Sequence, residues 1–265
     1  IAKIGVSYLG GCCGTTPEHI KAMIERCKNM DDSVPEKKKD TVVTSYSTAV
    51  TIGDKPVVIG ERINPTGKKL FKEALRNNDM DYAIKEGLAQ QDKGAHILDV
   101  NVGLPEIDEV KWLKDAVYNL QSVLPLPLQL DSSDPLALEA AMRIYNGKPM
   151  VNSVNGKASS MKEVFPLVKK YGGVVVCLCL DENGIPSTAE GRIEIAEKII
   201  RTAAEYGIDK KDLVVDALVM TISTDKNNAI ETLKAVKYIR NELGVATVLG
   251  VSNISFGLPN REAVN

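Results

Sequence analysis

The sequence is poor in the residues of several common kinds of active site. Its 265 residues include 2 histidines, His19 and His96, and no Ser/His/Asp or Cys/His arrangement for nucleophilic catalysis is evident. His96 falls inside an apolar run, which indicates a packed side chain rather than a catalytic base. No phosphate-binding G-x-x-x-x-G-K-[ST] motif is present, and no G-x-G-x-x-G follows a strand. These absences weigh against nucleophilic hydrolysis and against nucleotide or dinucleotide binding.

Charge, long apolar runs and cysteine are also limited. The formal net charge of −2 gives no basic surface for nucleic acid or anionic lipid. No apolar run approaches the roughly 20 residues that span a bilayer. The 5 cysteines are odd in number and irregularly spaced, which argues against a disulfide framework and favours the reducing cytoplasm. Because the chain opens without an initiator methionine and inside an apparent strand (IAKIGVSYLGG), we expect an excerpt of a longer protein.

Short apolar runs alternate with longer amphipathic segments along most of the chain. The alternation repeats every ~30 residues, as expected for successive βα units around a parallel sheet. Helix ends are recognisable, for example where Asp134 and Pro135 begin a helix that Gly147 closes. This pattern predicts an α/β protein with a (β/α)8 TIM barrel, apparently truncated after strand 7. The predicted strands are Val57–Ile63, His96–Val102, Leu126–Leu130, Pro149–Val151, Val174–Leu180, Leu213–Met220 and Thr247–Ile254.

A carboxylate, an amide or both follow each predicted strand. In a (β/α)8 barrel these positions face the mouth at the carboxyl ends of the strands, where catalytic groups lie. The alternative is that each is only a turn former or a helix cap, which is how we interpret Asp134. Seven such strand ends in register favour a common site. The residues are Glu61, Asn64, Asp99, Asn101, Asp131, Asn152, Asp181, Asp216 and Asn253.

A ring of acids and amides suits a neutral, planar heterocycle with several N–H donors. Carboxylates accept paired N–H donors, and amides serve donor and acceptor edges together. The pterin ring, with its 2-amino group beside N3–H, is such a ligand. A metal site is the competing interpretation, and it is weaker because hard cations prefer more acids and fewer amides.

Seven motifs at the seven strand ends resemble the pterin-binding barrel of the cobalamin-dependent methionine synthases. The resemblance implies that the barrel binds 5-methyltetrahydrofolate and offers its N5 methyl group to cobalamin on a separate domain. It further implies that Asp131, Asn152 and Asp216 bind the pterin, with Asn253 at N5; Asn253 and Asp216 are the expected catalytic residues. The remaining lining would be Asn64, Asp99 and Asn101. The motifs are IGERINPTGKK (59–69), GAHILDVNVG (94–103), LQLDSSDP (128–135), KPMVNSVNGK (148–157), LDENGIP (180–186), DLVVDALVM (212–220) and VLGVSNISFGLP (248–259).

The opening segment GVSYLGGCCGTTPEHI resembles the last strand and following loop of the homocysteine-binding barrel of the same family. There, adjacent cysteines corresponding to Cys12 and Cys13 are zinc ligands, and a third cysteine would lie outside this chain. We therefore expect no properly bound zinc here, although the full-length protein would bind it. Cys177 and Cys179 alternate within a barrel strand and are expected to be buried thiols. The expected domains are 1–28 (end of the homocysteine barrel), 29–55 (linker and barrel entry) and 56–265 (pterin barrel).

Three alternatives remain open beside methyl transfer within methionine synthesis. A methyltetrahydrofolate methyltransferase acting on a corrinoid protein shares the folate chemistry. A dihydropteroate synthase-like enzyme also holds a pterin, but its Asn-x-Thr-Pro-Asp-Ser-Phe loop and final Ser-Arg-Lys signature are replaced here by ERINPTGKK and SNISFGLP. A binding module would present folate without chemistry of its own. The expected partners are a folate and a cobalamin-binding domain, without nucleic acid or membrane.

Overall fold

The computed structural model describes residue 6 and residues 8–30 and 38–264. The chain divides into two compact units, Ile1–Lys39 and Asp40–Asn265. Within the described residues, every helix is too short or too polar to cross a membrane.

The first unit contains one described helix, α1 (Pro17–Cys27). Its start is fixed by Thr16, whose backbone N–H donates to Nδ1 of His19 at 3.1 Å, so this histidine serves as a helix cap. Pro17 occupies the first turn, where a missing N–H costs nothing. The apparent strand IAKIGVSYLGG at the start of the chain lies partly outside the described residues.

The second unit begins with an antiparallel hairpin and continues as a parallel sheet of seven strands. Each of the seven strands pairs with the next along the chain, which is the order of a (β/α)8 sheet and confirms the predicted βα repeat. The hairpin strands are β1 (Thr41–Thr44) and β2 (Ala49–Ile52). The sheet strands are β3 (Ile59–Ile63), β4 (Ile97–Asn101), β5 (Leu128–Asp131), β6 (Met150–Asn155), β7 (Val174–Leu178), β8 (Leu213–Asp216) and β9 (Ala246–Val248).

Helices connect these strands. Asp134 begins one of them by accepting the Leu136 N–H at 2.9 Å, which agrees with its predicted capping role. Gly244, with φ of 67°, ends the π-helical turn Ile239–Leu243 that follows the last helix, where a left-handed residue is needed. The helices are α2 (Lys69–Arg76), α3 (Met80–Asp92), α4 (Glu109–Val123), α5 (Pro135–Ile144), α6 (Ala158–Tyr171), α7 (Ala189–Glu205) and α8 (Asn227–Tyr238).

The sheet is buried on both faces. Each face carries one of two hydrophobic clusters. The larger cluster includes residues from every sheet-covering helix and packs them against the outer face of the strands. The smaller consists of strand residues only, among them Ile97, Met150, Val174 and Val214, and so fills the inner face. Val43 of the hairpin joins this inner cluster. Apolar side chains therefore occupy the inner face near the amino ends of the strands.

The hairpin is held against the amino-terminal end of the sheet. Thr44 and Lys148 exchange backbone hydrogen bonds of 2.9 and 3.1 Å. The Tyr145 hydroxyl donates to the Thr44 carbonyl at 2.9 Å and accepts the Leu128 N–H at 3.0 Å. The sequence predicted only a linker and barrel entry over 29–55. The four-residue strands of the hairpin are too short to give a clear alternation.

The last strand differs from its prediction. β9 ends at Val248, whereas the sequence predicted a strand over Thr247–Ile254. Beyond Val248 the backbone bonds to local carbonyls instead of to the neighbouring strand: Val251 N–H donates to Leu249, and Asn253 N–H donates to Gly250. Residues Val251–Ser255 therefore form a 3-10 turn.

Candidate functional site

The register of the sheet brings three of the predicted site residues side by side. Asn101 of β4 is paired with Asp131 of β5, and Asp131 is paired in turn with Asn152 of β6. Paired residues of neighbouring strands point to the same face of a sheet, and side chains two residues apart along one strand also share a face. Asp99 and Gln129 therefore form a second row on the same face, one step closer to the apolar interior.

Hydrogen bonds join neighbouring side chains within each row. Asn101 Nδ2 donates to Asp131 Oδ2 at 3.0 Å, while its Oδ1 accepts the Gly103 N–H at 2.9 Å. Gln129 Nε2 donates to Asp99 Oδ1. Gln129 Oε1 is buried and has no hydrogen-bond partner among the described residues. The network thus fixes the orientation of Asp131 and leaves one buried acceptor unsatisfied.

The two carboxyl groups of this network are both more basic than usual. Burial raises the pKa of Asp99 to about 8, the charge of Asp131 adds to the rise, and hydrogen bonds from Gln129 and Asn152 oppose it. Burial also raises the pKa of Asp131, while the hydrogen bond from Asn101 lowers it. Asp99 therefore holds a proton at neutral pH.

Asp216 ends β8, further around the same sheet. Its Oδ1 accepts the Leu218 N–H at 2.8 Å, and its carbonyl accepts the Cys179 N–H at 3.0 Å. Burial raises the pKa of Asp216 to about 6, against the lowering effect of the Leu218 hydrogen bond. The carboxylate is therefore largely ionised at pH 7 and is held in one orientation by the following loop.

Two predicted lining residues lie in loops. Asn64 follows β3, and its Oδ1 accepts the Thr66 N–H at 2.8 Å, so its acceptor already serves a turn. Nearby, Lys68 Nζ donates to Glu61 Oε2 at 3.1 Å. Asn253 lies in the 3-10 turn after β9, exposed and with no side-chain hydrogen bond to any described residue. Its amide is therefore free to reorient.

The two predicted zinc ligands belong to the first unit. Cys12 and Cys13 are exposed free thiols, and the Cys12 carbonyl accepts the Thr15 N–H at 2.9 Å in a tight turn. Among the described residues, no group of three or more His, Cys, Asp or Glu side chains could hold a metal. Cys177 and Cys179 are buried in the second unit, as predicted.

Some features of the site were not identified from the sequence. Gln129 could have been, because it precedes Asp131 by two residues on one strand, as Asp99 precedes Asn101. A cleft of about 300 Å³ adjoins Asp131 and Asn152. Its other walls come from the end of β6, from the loops after β5 and β6, and from the first two turns of α6. His96 lies at the opposite, amino-terminal end of β4, where its Nδ1 accepts the Val58 N–H at 3.0 Å, so it takes no part in this site.

Curated relatives match almost the whole chain. It is 36% identical over 278 residues to a methionine synthase of Mycobacterium leprae, covering 97% of this chain and 23% of that protein. It is 35% identical over 271 residues to the methionine synthase of Mycobacterium tuberculosis, again with 97% and 23% coverage. The chain thus spans about a quarter of the length of these relatives.

Solved structures share the fold at low identity. A dihydropteroate synthase of Xanthomonas albilineans aligns with a TM-score of 0.61 at 20% identity, covering 80% of this chain and 77% of that one. The enzyme of that name from Vibrio fischeri aligns with a TM-score of 0.58 at 15% identity, covering 81% and 79%. These similarities show the fold alone.

Two family descriptions match separate parts of the chain. The family described as homocysteine S-methyltransferase matches residues 1–27. The family described as pterin binding enzyme matches residues 60–265, which include the seven-stranded sheet from Gly60 onward. The chain belongs to the pterin-binding enzyme family.

Proposed function

We propose that the chain binds 5-methyltetrahydrofolate at the ring of acids and amides and passes its N5 methyl group to cob(I)alamin, as the folate half-reaction of methionine synthesis. The observation that carries this proposal is the pairing of Asn101, Asp131 and Asn152 across three strands of a pterin-binding sheet. Similarity to the methionine synthases of two mycobacteria supports the choice of reaction.

The side chains of the ring match the edge of a pterin. Asp131 and Asp216 are carboxylates held in fixed orientations, able to accept the ring's N–H donors, and Asn152 offers both a donor and an acceptor. Asp99, protonated at neutral pH, can donate to a ring acceptor. Gln129 Oε1 is a buried acceptor lacking a described partner, and a polar ligand at this face would relieve its desolvation cost.

Methyl transfer breaks the bond between N5 and its methyl carbon, and the electron pair stays on N5. A tertiary amine is a poor leaving group, so N5 needs a proton or a strong hydrogen bond as the methyl departs. Asn253 is the residue we assign to N5, because its free amide can donate and accept in turn. A donor that tightens as charge develops accelerates the step. A corrinoid carried by another domain would supply the nucleophile that accepts the methyl group, so this chain would need no nucleophile of its own.

The described residues of the first unit do not offer a complete zinc site. Two exposed thiols, Cys12 and Cys13, fall short of the three protein ligands of a catalytic zinc. The match to homocysteine S-methyltransferases over residues 1–27 supports a zinc role for this pair only together with a ligand from elsewhere in a longer protein.

The proposal is tested by titrating the purified protein with 5-methyltetrahydrofolate and by supplying free cob(I)alamin under reducing, anaerobic conditions. We expect saturable binding and formation of tetrahydrofolate. Asp131→Asn should weaken binding at least tenfold through loss of a charged hydrogen bond. The matched control is Asp134→Asn on the same loop, because that side chain caps α5 and Asn caps equally well.

The other outcomes separate the alternatives. Tight binding without turnover of any corrinoid would identify a folate-presenting module. Turnover only with a corrinoid protein, and not with free cob(I)alamin, would favour a corrinoid-protein methyltransferase. Condensation of a pterin pyrophosphate with p-aminobenzoate would favour dihydropteroate synthase chemistry. Absence of folate binding in a folded protein would refute the proposal.

A further inference from the structure

Arg192, on the first turn of α7, is fully buried. A buried cation is costly unless it is compensated. Among the described residues, no carboxylate lies within salt-bridge distance of it, and Glu231 is the nearby acid that acts on it through space. Its Nη2 has no hydrogen-bond partner among the same residues. Stability alone therefore gives a weak reason for a guanidinium at this position.

The bonds of the guanidinium run to the loops at the carboxyl ends of two strands. Nε donates to the Pro186 carbonyl at 3.0 Å, in the loop after β7. Nη1 donates to the Ala217 and Leu218 carbonyls, each at 3.2 Å, immediately after β8. Nη1 also donates to Thr232 Oγ1 of α8 at 2.8 Å. Arg192 thus joins the loops after two strands of the candidate site to the helix layer.

Leu218 links Arg192 to Asp216. Its backbone φ is 60°, in the left-handed region that a leucine adopts only at a cost. In this conformation its N–H donates to Asp216 Oδ1 at 2.8 Å, while its carbonyl accepts from Arg192. The same residue therefore holds the carboxylate on one side and is held by the buried cation on the other.

We propose that Arg192 is a positioning residue for Asp216: its guanidinium holds Leu218 in the left-handed conformation that directs the Leu218 N–H onto the Asp216 carboxylate. The cost of burying the cation is then offset by the orientation of a ligand-binding group. This inference rests on the proposed function only in its expectation about folate, because the contact between Arg192 and Leu218 is independent of any ligand.

Folate affinity is the first readout. Arg192→Met should weaken binding of 5-methyltetrahydrofolate about tenfold, since Asp216 loses its fixed orientation. Arg192→Lys should recover part of that loss, because a lysine can reach a loop carbonyl but cannot bond to several at once. The matched control is Arg201→Met, which removes an exposed cation of the same helix. The control should leave affinity unchanged.

A double-mutant cycle separates positioning from general loosening of the fold. If Arg192 acts through Asp216, Arg192→Met should cost little further affinity in an Asp216→Asn background. Fully additive losses would overturn the proposal. If Arg192→Met does not fold, Thr232→Val is used instead, because it keeps the charge and removes one anchor of Nη1. We expect a roughly threefold loss of affinity for that variant.

Hydrogen exchange at the Leu218 amide tests the inference without folate. The amide should be protected in the wild-type protein and in Arg192→Lys, and should exchange at least tenfold faster in folded Arg192→Met or Thr232→Val. Unchanged protection in these variants would refute the role of Arg192. If the wild-type protein fails to bind 5-methyltetrahydrofolate while the amide loses protection in the variants, the proposed function fails and the positioning contact stands.

Discussion

Asn101 Nδ2 donates to Asp131 Oδ2 at 3.0 Å, between paired residues of neighbouring strands. The other end of the Asn101 amide is occupied by the Gly103 N–H at 2.9 Å, so this side chain has no freedom to rotate. A rigid neighbour thus sets the orientation of the Asp131 carboxylate. Because the amide donates to the charged form, it also keeps the pKa of Asp131 lower than burial alone would set it.

Replacement of Asn101 by alanine should therefore weaken folate binding, and more so at lower pH. Without the donor the pKa of Asp131 rises further, so a larger fraction of the carboxyl is protonated at pH 6 than at pH 8. We expect about a tenfold loss of affinity at pH 6 and a smaller loss at pH 8, measured by calorimetric titration. Asn119→Ala, on the exterior helix α4, is the control. A loss independent of pH would contradict this electrostatic role.

The raised pKa of Asp99 predicts a pH-dependent stability. Its folded-state value of about 8 exceeds the ordinary value near 4, so the native protein binds more protons than the unfolded chain between these limits. Stability contributed by this group is present at low pH and is lost as pH rises toward 8. Asp99→Asn should remove that dependence, by at most about 1.4 kcal/mol per pH unit. Urea unfolding at pH 5, 6.5 and 8 measures it; parallel curves for the two proteins would contradict it.

Tyr145 offers a test at the opposite end of the sheet. Its hydroxyl donates to the Thr44 carbonyl and accepts from the Leu128 N–H. Tyr145→Phe removes both hydrogen bonds. The free energy of unfolding should fall by about 1–3 kcal/mol. Folate affinity should not change, because the hairpin lies at the amino ends of the strands. A large change in affinity with little loss of stability would show that the two ends of the sheet are coupled.

Strand-end polarity was readable from the sequence because it depends on local pattern. Asp131 and Asn152 follow apolar runs and do pair across strands, and Asp134 caps a helix as its spacing before Pro135 predicted. The sequence could not show that the side-chain oxygen of Asn64 accepts a hydrogen bond within a turn, because that bond depends on the path of the backbone after β3.

Arg192 shows the limit of local pattern more clearly. In the segment AEGRIEIAEKII an arginine is expected on a solvated helix face. Its burial depends on carbonyls of Ala217 and Leu218, which lie 25 and 26 residues away along the chain. Because the carbonyls that compensate this charge are distant in sequence, the residues next to Arg192 do not predict its burial. Only the tertiary structure reveals it.

Asn253→Ala separates binding from chemistry. Asn253 is exposed in a 3-10 turn and bonds to no described side chain, so its removal should barely affect folding. If its amide supports N5 mainly as the methyl group leaves, kcat for methyl transfer should fall about 100-fold while the dissociation constant for folate changes less than threefold. Ser252→Ala, one residue earlier in the same exposed turn, is the control and should retain both. A loss of affinity with kcat unchanged would instead assign Asn253 to ground-state binding, because an interaction made equally with substrate and transition state leaves the chemical step unaccelerated.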